Sequence, residues 1–69
     1  MFMFSILGEP PKEVADKFWS DIEQYKVNFT VLDGKCFVYG NANEEVENIL
    51  FEKVLELGFV FSYDKGVAR

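Results

Sequence analysis

The sequence contains no histidine, a single cysteine and a single arginine. The missing histidine removes the commonest general base near neutral pH and the commonest zinc ligand. Cys36 has no second cysteine to pair with, so neither an internal disulfide nor a cysteine-built zinc site is available. The only arginine is Arg69, the last residue, and twelve acidic residues oppose seven basic ones for a net charge of −5. That balance disfavours binding of a nucleic-acid backbone, which relies on arginine and lysine. Bilayer-length apolar runs, about 20 residues, are also lacking. The opening MFMFSILGEPP has no basic flank and no small-residue cleavage site, so it reads as structure rather than as a signal peptide. A cytoplasmic protein without a membrane segment, cofactor or metal is the expectation.

What is present is apolar and aromatic. The 69 residues are 49% hydrophobic and include eight phenylalanines, enough to build a core rather than remain disordered. A chain this short buries only about 60% of its unfolded surface. Every apolar face is therefore needed, and their pattern gives the elements.

Residues 2–7, FMFSIL, alternate with Phe2, Phe4 and Ile6 on one side, which predicts a first strand. Pro10 and Pro11 suit a helix start, and Val14, Ala15, Phe18, Ile22 and Tyr25 then recur at helical spacing over 11–25. Trp19 stands at the edge of that arc, and Glu13 is spaced to pair with Lys17 on the wet side. In KVNFTVLDGKCFVYG, two alternating runs flank Asp33-Gly34, the favoured pair for a type I′ hairpin turn. A two-residue turn pairs Leu32 with Lys35, Val31 with Cys36, Thr30 with Phe37, Phe29 with Val38 and Asn28 with Tyr39. That register gathers Val27, Phe29, Val31, Cys36 and Val38 on one apolar face, so turn and pattern agree. The inward alternation of Cys36 marks it as a core residue rather than a reactive thiol.

A second helix follows, capped by Asn41 or Asn43; Asn41 would place Glu44 at the capping-box position. Its core stripe is Val46, Leu50, Val54 and Leu57, flanked by Ile49, and Gly58 ends it. A last strand is expected over 59–64, with Phe59, Phe61 and Tyr63 on one side. The whole reads as one α+β domain over 1–64 followed by a C-terminal tail, 65–69.

The order β-α-β-β-α-β resembles the ferredoxin-like fold across nearly the whole chain. That resemblance implies a four-stranded antiparallel sheet with both helices on one face. Several activities hosted by this fold are excluded by residue. Acylphosphatases depend on an arginine near strand one, and heavy-metal carriers on a cysteine pair in the loop after it; that loop here reads LGEPPKE. The strand DGKCFVYG is similar to the strand-three signature of RNA-recognition motifs at Gly34, Phe37 and Val38, with Cys36 as the small residue. Its basic position and two of its aromatic positions instead hold Asp33, Lys35 and Gly40. The strand, LG loop, helix and hairpin order is also similar to ACT-type regulatory domains. Those domains bind small effectors near the loop after strand one, where this chain has Gly8 followed by Pro10-Pro11.

The candidate contacts lie on two surfaces. With helices on one side of the sheet, Lys35, Phe37 and Tyr39 face the other side, beside Asn28 and Thr30. Met3, Leu7 and Val60 join them if Phe2, Phe4 and Ile6 point to the helices. An apolar patch with polar edges indicates a protein partner or a homodimer through the sheet. On helix two, Phe51 and Leu55 lie off the core stripe, and Glu45, Glu52 and Glu56 form an acidic stripe on the far side. Glu44, Glu45 and Glu47 favour the helix N-terminus electrostatically, whereas Glu52 and Glu56 sit near the unfavourable end. The expected function is a non-enzymatic protein-binding module acting by stoichiometric contact. Small acidic inhibitors and regulators encoded by phages and mobile elements offer an analogy in size and charge. An ACT-like small-molecule regulatory domain and single-stranded nucleic-acid binding through the open sheet face are the alternatives.

Overall fold

The computed structural model describes residues 1–65. Strand β1 spans Phe2–Ile6, helix α1 Lys12–Ile22, β2 Asn28–Leu32, β3 Lys35–Gly40, α2 Glu44–Leu57 and β4 Phe61–Lys65. The four strands form one antiparallel sheet in the order β2-β3-β1-β4. This is the ferredoxin-like α+β arrangement, with β1 and β3 in the middle and β2 and β4 at the edges.

The hairpin register is the one the sequence predicts, from Leu32↔Lys35 through Asn28↔Tyr39. Asp33 and Gly34 both have positive φ, 54° and 74°, as a type I′ turn requires. Side-chain parity then runs through the sheet. Phe29 pairs with Val38, Val38 with Phe4, and Phe4 with Tyr63, so all four share the helix-covered face. Phe2, Phe4, Ile6, Cys36 and Val38 are fully buried there with Ile22, Leu50 and Val54 from the helices. Phe18 and Trp19 bring α1 onto Phe29, with ring centroids 5.3 and 6.2 Å away. Phe51 brings α2 onto Phe4, Phe61 and Tyr63 at 6.1, 5.5 and 5.9 Å. Helix α1 thus covers the β2 side of the sheet and α2 the β1–β4 side.

Several boundaries differ from the sequence reading. The first strand stops at Ile6, and α1 starts at Lys12 and ends at Ile22. A 3₁₀ turn, Glu23–Tyr25, follows and hands the chain to Lys26 in the left-handed region (φ 61°), which turns it sharply into β2. Glu13 does not pair with Lys17; the exposed pairs are Lys12–Asp16 at 2.9 Å and Lys17–Asp21 at 3.1 Å. Val14, expected in the core arc, is 43% exposed and lines a groove between the two helices. Val31 has the inward parity but is 44% exposed, near the end of an edge strand.

Asn43, not Asn41, caps α2: its Oδ1 accepts from the Val46 amide at 2.9 Å, so the capping box with Glu44 does not form. Gly58 ends α2 in the left-handed conformation, its amide donating to the Leu55 carbonyl. Phe59 lies outside β4, its ring pressed on Gly8, where an added Cβ would come within 2.3 Å of it. The absent side chain at Gly8 leaves the seat that the Phe59 ring fills. Strand β4 therefore starts two residues later than expected and runs to Lys65. Residues 66–69 of the expected tail lie outside the described residues.

Candidate functional site: an open sheet face

The strand pairings lay out the helix-free face row by row. One row reads Asn28, Tyr39, Met3, Asp64; the next reads Thr30, Phe37, Ser5, Ser62. Beyond them Leu32 pairs with Lys35, and the Leu7 amide donates to the Val60 carbonyl at 2.8 Å. Met3, Phe37 and Tyr39 are half-buried by their neighbours and form an apolar centre on the two middle strands. Asn28, Thr30, Lys35, Ser62 and Asp64 are exposed around it. The Tyr39 hydroxyl lies 3.3 Å from Thr30 Oγ1, a hydrogen bond that steers the ring toward β2. Leu7, Leu32 and Val60 extend the apolar area at the turn end, and are 55%, 59% and 73% exposed.

This grid is mostly uncharged. It contains amide, hydroxyl and hydrocarbon surfaces, one ammonium at Lys35 and one carboxylate at Asp64. It can bury aromatic area and satisfy hydrogen bonds around the edge, as a protein contact does. Among the described residues, no group of three or more potential ligands is arranged to hold a metal.

The residues proposed from sequence do not form one site. Lys35, Phe37 and Tyr39 stand together on the open face. Glu45, Glu52, Phe51, Leu55 and Glu56 belong to α2, in the layer on the other side of the sheet. Within α2 they divide again. Phe51 is 37% exposed and is largely committed to the aromatic cluster of Phe4, Phe61 and Tyr63, while Leu55, four residues on, is 54% exposed. Glu56 belongs to the opposite flank. It lines a small groove between the helices with Val14, Lys17, Phe18, Asp21, Lys53 and Leu57. Glu45 and Glu52 are exposed.

The groove's charges are mostly satisfied among themselves. Asp21 lies 3.1 Å from Lys17 and 3.7 Å from Lys53, and the hydrogen bond from Lys17 holds its carboxyl below the ordinary range. Cys36 is buried, and burial followed by the charge of Glu9 raises its thiol pKa, which makes it a poor nucleophile.

One polar cluster was not visible in the sequence. The Tyr63 hydroxyl donates to Glu47 Oε1, and Lys65 Nζ lies 3.9 Å from the same oxygen. Burial, then the Glu47 contact, pushes the Tyr63 pKa up to about 12. Tyr63 is therefore a neutral donor at physiological pH. The favourable position of Glu47 in the first turn of α2 explained its charge and hid its second role, as a clamp between α2 and β4. Only the inward parity of Tyr63 pointed toward it.

No protein-family model matches the chain, and no curated protein matches it.

Proposed function

We propose that this chain is a non-enzymatic protein-binding module that acts in the cytoplasm by stoichiometric contact through its open sheet face. The observation that carries this reading is the concentration of Met3, Phe37 and Tyr39 at the centre of an uncovered sheet, bordered by short polar side chains. Aromatic residues at the middle of a patch, surrounded by groups that exclude water, are the usual source of binding energy at protein contacts. The acidic balance fits an inhibitor or regulator whose partner is basic, with Glu45, Glu52 and Glu56 as exposed charges on α2.

The test separates the two surfaces. Immobilised wild-type protein is expected to retain a specific partner at about one-to-one stoichiometry. Phe37→Ala or Tyr39→Ser is expected to reduce retention at least tenfold, which corresponds to about 1.4 kcal/mol. A Glu52→Lys, Glu56→Lys variant would lower retention only by slowing association, in a salt-dependent way. Equal retention by wild type and the open-face variants removes this reading. A thermal shift with amino acids or nucleotides would support the small-molecule alternative instead. Retention of labelled single strands at low salt would support the nucleic-acid one.

A further inference from the structure

Strand β2 is an edge strand with unusual exposure. Four of its five residues, Asn28, Thr30, Val31 and Leu32, are exposed, and none of the five carries a charge. Proteins normally protect such an edge with lysine, proline or a bulge, because its free amides and carbonyls pair with any strand that arrives. The other edge follows that rule, since β4 carries Ser62, Asp64 and Lys65. Strand β2 does not.

Its free groups can be identified. The residues flanking a two-residue hairpin turn form a hydrogen-bonded pair, and such pairs alternate with non-bonded ones. Leu32, Thr30 and Asn28 therefore spend their backbone groups on Lys35, Phe37 and Tyr39. The amides and carbonyls of Phe29 and Val31 point outward, where no described strand meets them.

We propose that β2 pairs antiparallel with β2 of a second copy of this chain, about a two-fold axis at Thr30, to give a continuous eight-stranded sheet. In this register Phe29 faces Val31 of the second copy and Val31 faces its Phe29. Both are hydrogen-bonded pairs, so the four outward groups of each strand are satisfied. Thr30 meets Thr30, and Asn28 meets Leu32. Parity is preserved, so Val31, left 44% exposed by its own helices, is covered by Phe29 of the second copy, which already carries Trp19 stacked on it. Aromatic and β-branched residues make favourable cross-strand pairs. The flanking charges are complementary, because Lys26 at the start of β2 approaches Asp33 at the end of the other.

The open faces of the two copies lie on the same side, so the dimer doubles the binding platform. It does not depend on a partner, and its test involves none.

A five-residue edge is smaller than the roughly 1,200 Å² of a standard stable interface, so the dimer is weak and requires concentrated protein. By sedimentation equilibrium, the mass is expected to rise from 8.0 kDa toward twice that value as the protein is concentrated to the order of 500 μM. Thr30→Lys and Thr30→Glu, at an exposed position, should each fold and remain at the monomer mass, because like charges then stand opposite across the axis. Mixing the two variants should restore the dimer. Amide exchange gives a variant-free check: Phe29 and Val31 should gain protection on concentration. A monomer mass for wild type throughout, or a dimer indifferent to Thr30→Lys, overturns the proposal.

Discussion

Phe4 and Phe37 belong to neighbouring central strands, yet they should differ sharply in what their removal costs. Phe4 points into the core and is fully buried. It touches the rings of Tyr63 at 4.6 Å, Phe2 at 5.8 Å, and Phe51 and Phe61 at 6.1 Å. Truncation of such a phenylalanine costs about 3–5 kcal/mol, through lost burial and the cavity left behind. A chain of this length has a total stability of roughly 3–10 kcal/mol. Phe4→Ala therefore removes from about a third of that stability to all of it. Phe37, whose pair partners are Thr30 and Ser5, faces the open side. Its removal forfeits cross-strand contacts worth roughly 0.2–1 kcal/mol. The fluorescence of Trp19, stacked on Phe29, reports unfolding in urea for both variants. The expected result is a small midpoint shift for Phe37→Ala and a shift at least about threefold larger, up to loss of the folded baseline, for Phe4→Ala. Comparable destabilisation by the two substitutions would refute the assignment of faces, and with it the reading of Phe37 as a surface free to bind.

Two further predictions concern α2. Asn43→Ala should cost about 1 kcal/mol by leaving the Val46 amide without its cap, and lower the melting temperature by about 4–8 °C, while Asn41→Ala should change it little. Calorimetry of both variants checks this, and equal shifts would contradict it. Tyr63 titrates higher folded than unfolded, so its contribution is fully present below the unfolded value near 10 and is lost as pH rises toward about 12. Stability measured from pH 9 to 12 should therefore fall less steeply for Tyr63→Phe than for wild type; identical slopes would contradict the clamp with Glu47.

The hairpin was legible in full because two independent signals coincide there. Asp33-Gly34 sets the register, and the alternation of Val27 through Val38 admits that register and no slipped one. The inward face of β1 and the core stripe of α2 were legible for the same reason of periodicity, with Leu50 and Val54 fully buried. Long-range choices were not. The ring of Phe59 seats on Gly8, fifty-one positions earlier in the chain, and no local pattern in FVFSYD reveals that it leaves the strand. Val14 and Val31 satisfy the periodicity of a core residue and are nevertheless 43% and 44% exposed, because periodicity names a face and not what covers it. The ion pairs of α1 failed for a subtler reason. Glu13–Lys17 and Lys17–Asp21 have equivalent spacing and compete for one ammonium, and Lys17 bonds Asp21 at 3.1 Å. The candidate site was legible as a face, because parity assigns Lys35, Phe37 and Tyr39 together. It was not legible as a unit with Phe51, Leu55 and the glutamates, since strand order and helix placement put those on the opposite layer.

The central claim is that the uncovered sheet face makes the contact with a protein partner. The most direct measurement is a backbone amide NMR map of this chain titrated with its captured partner to a one-to-one ratio. Shift changes centred on Met3, Ser5, Thr30, Phe37 and Tyr39, with α2 residues Glu45, Glu52 and Glu56 little affected, are the predicted result. Changes centred on α2, with Phe37 and Tyr39 unmoved, would contradict it.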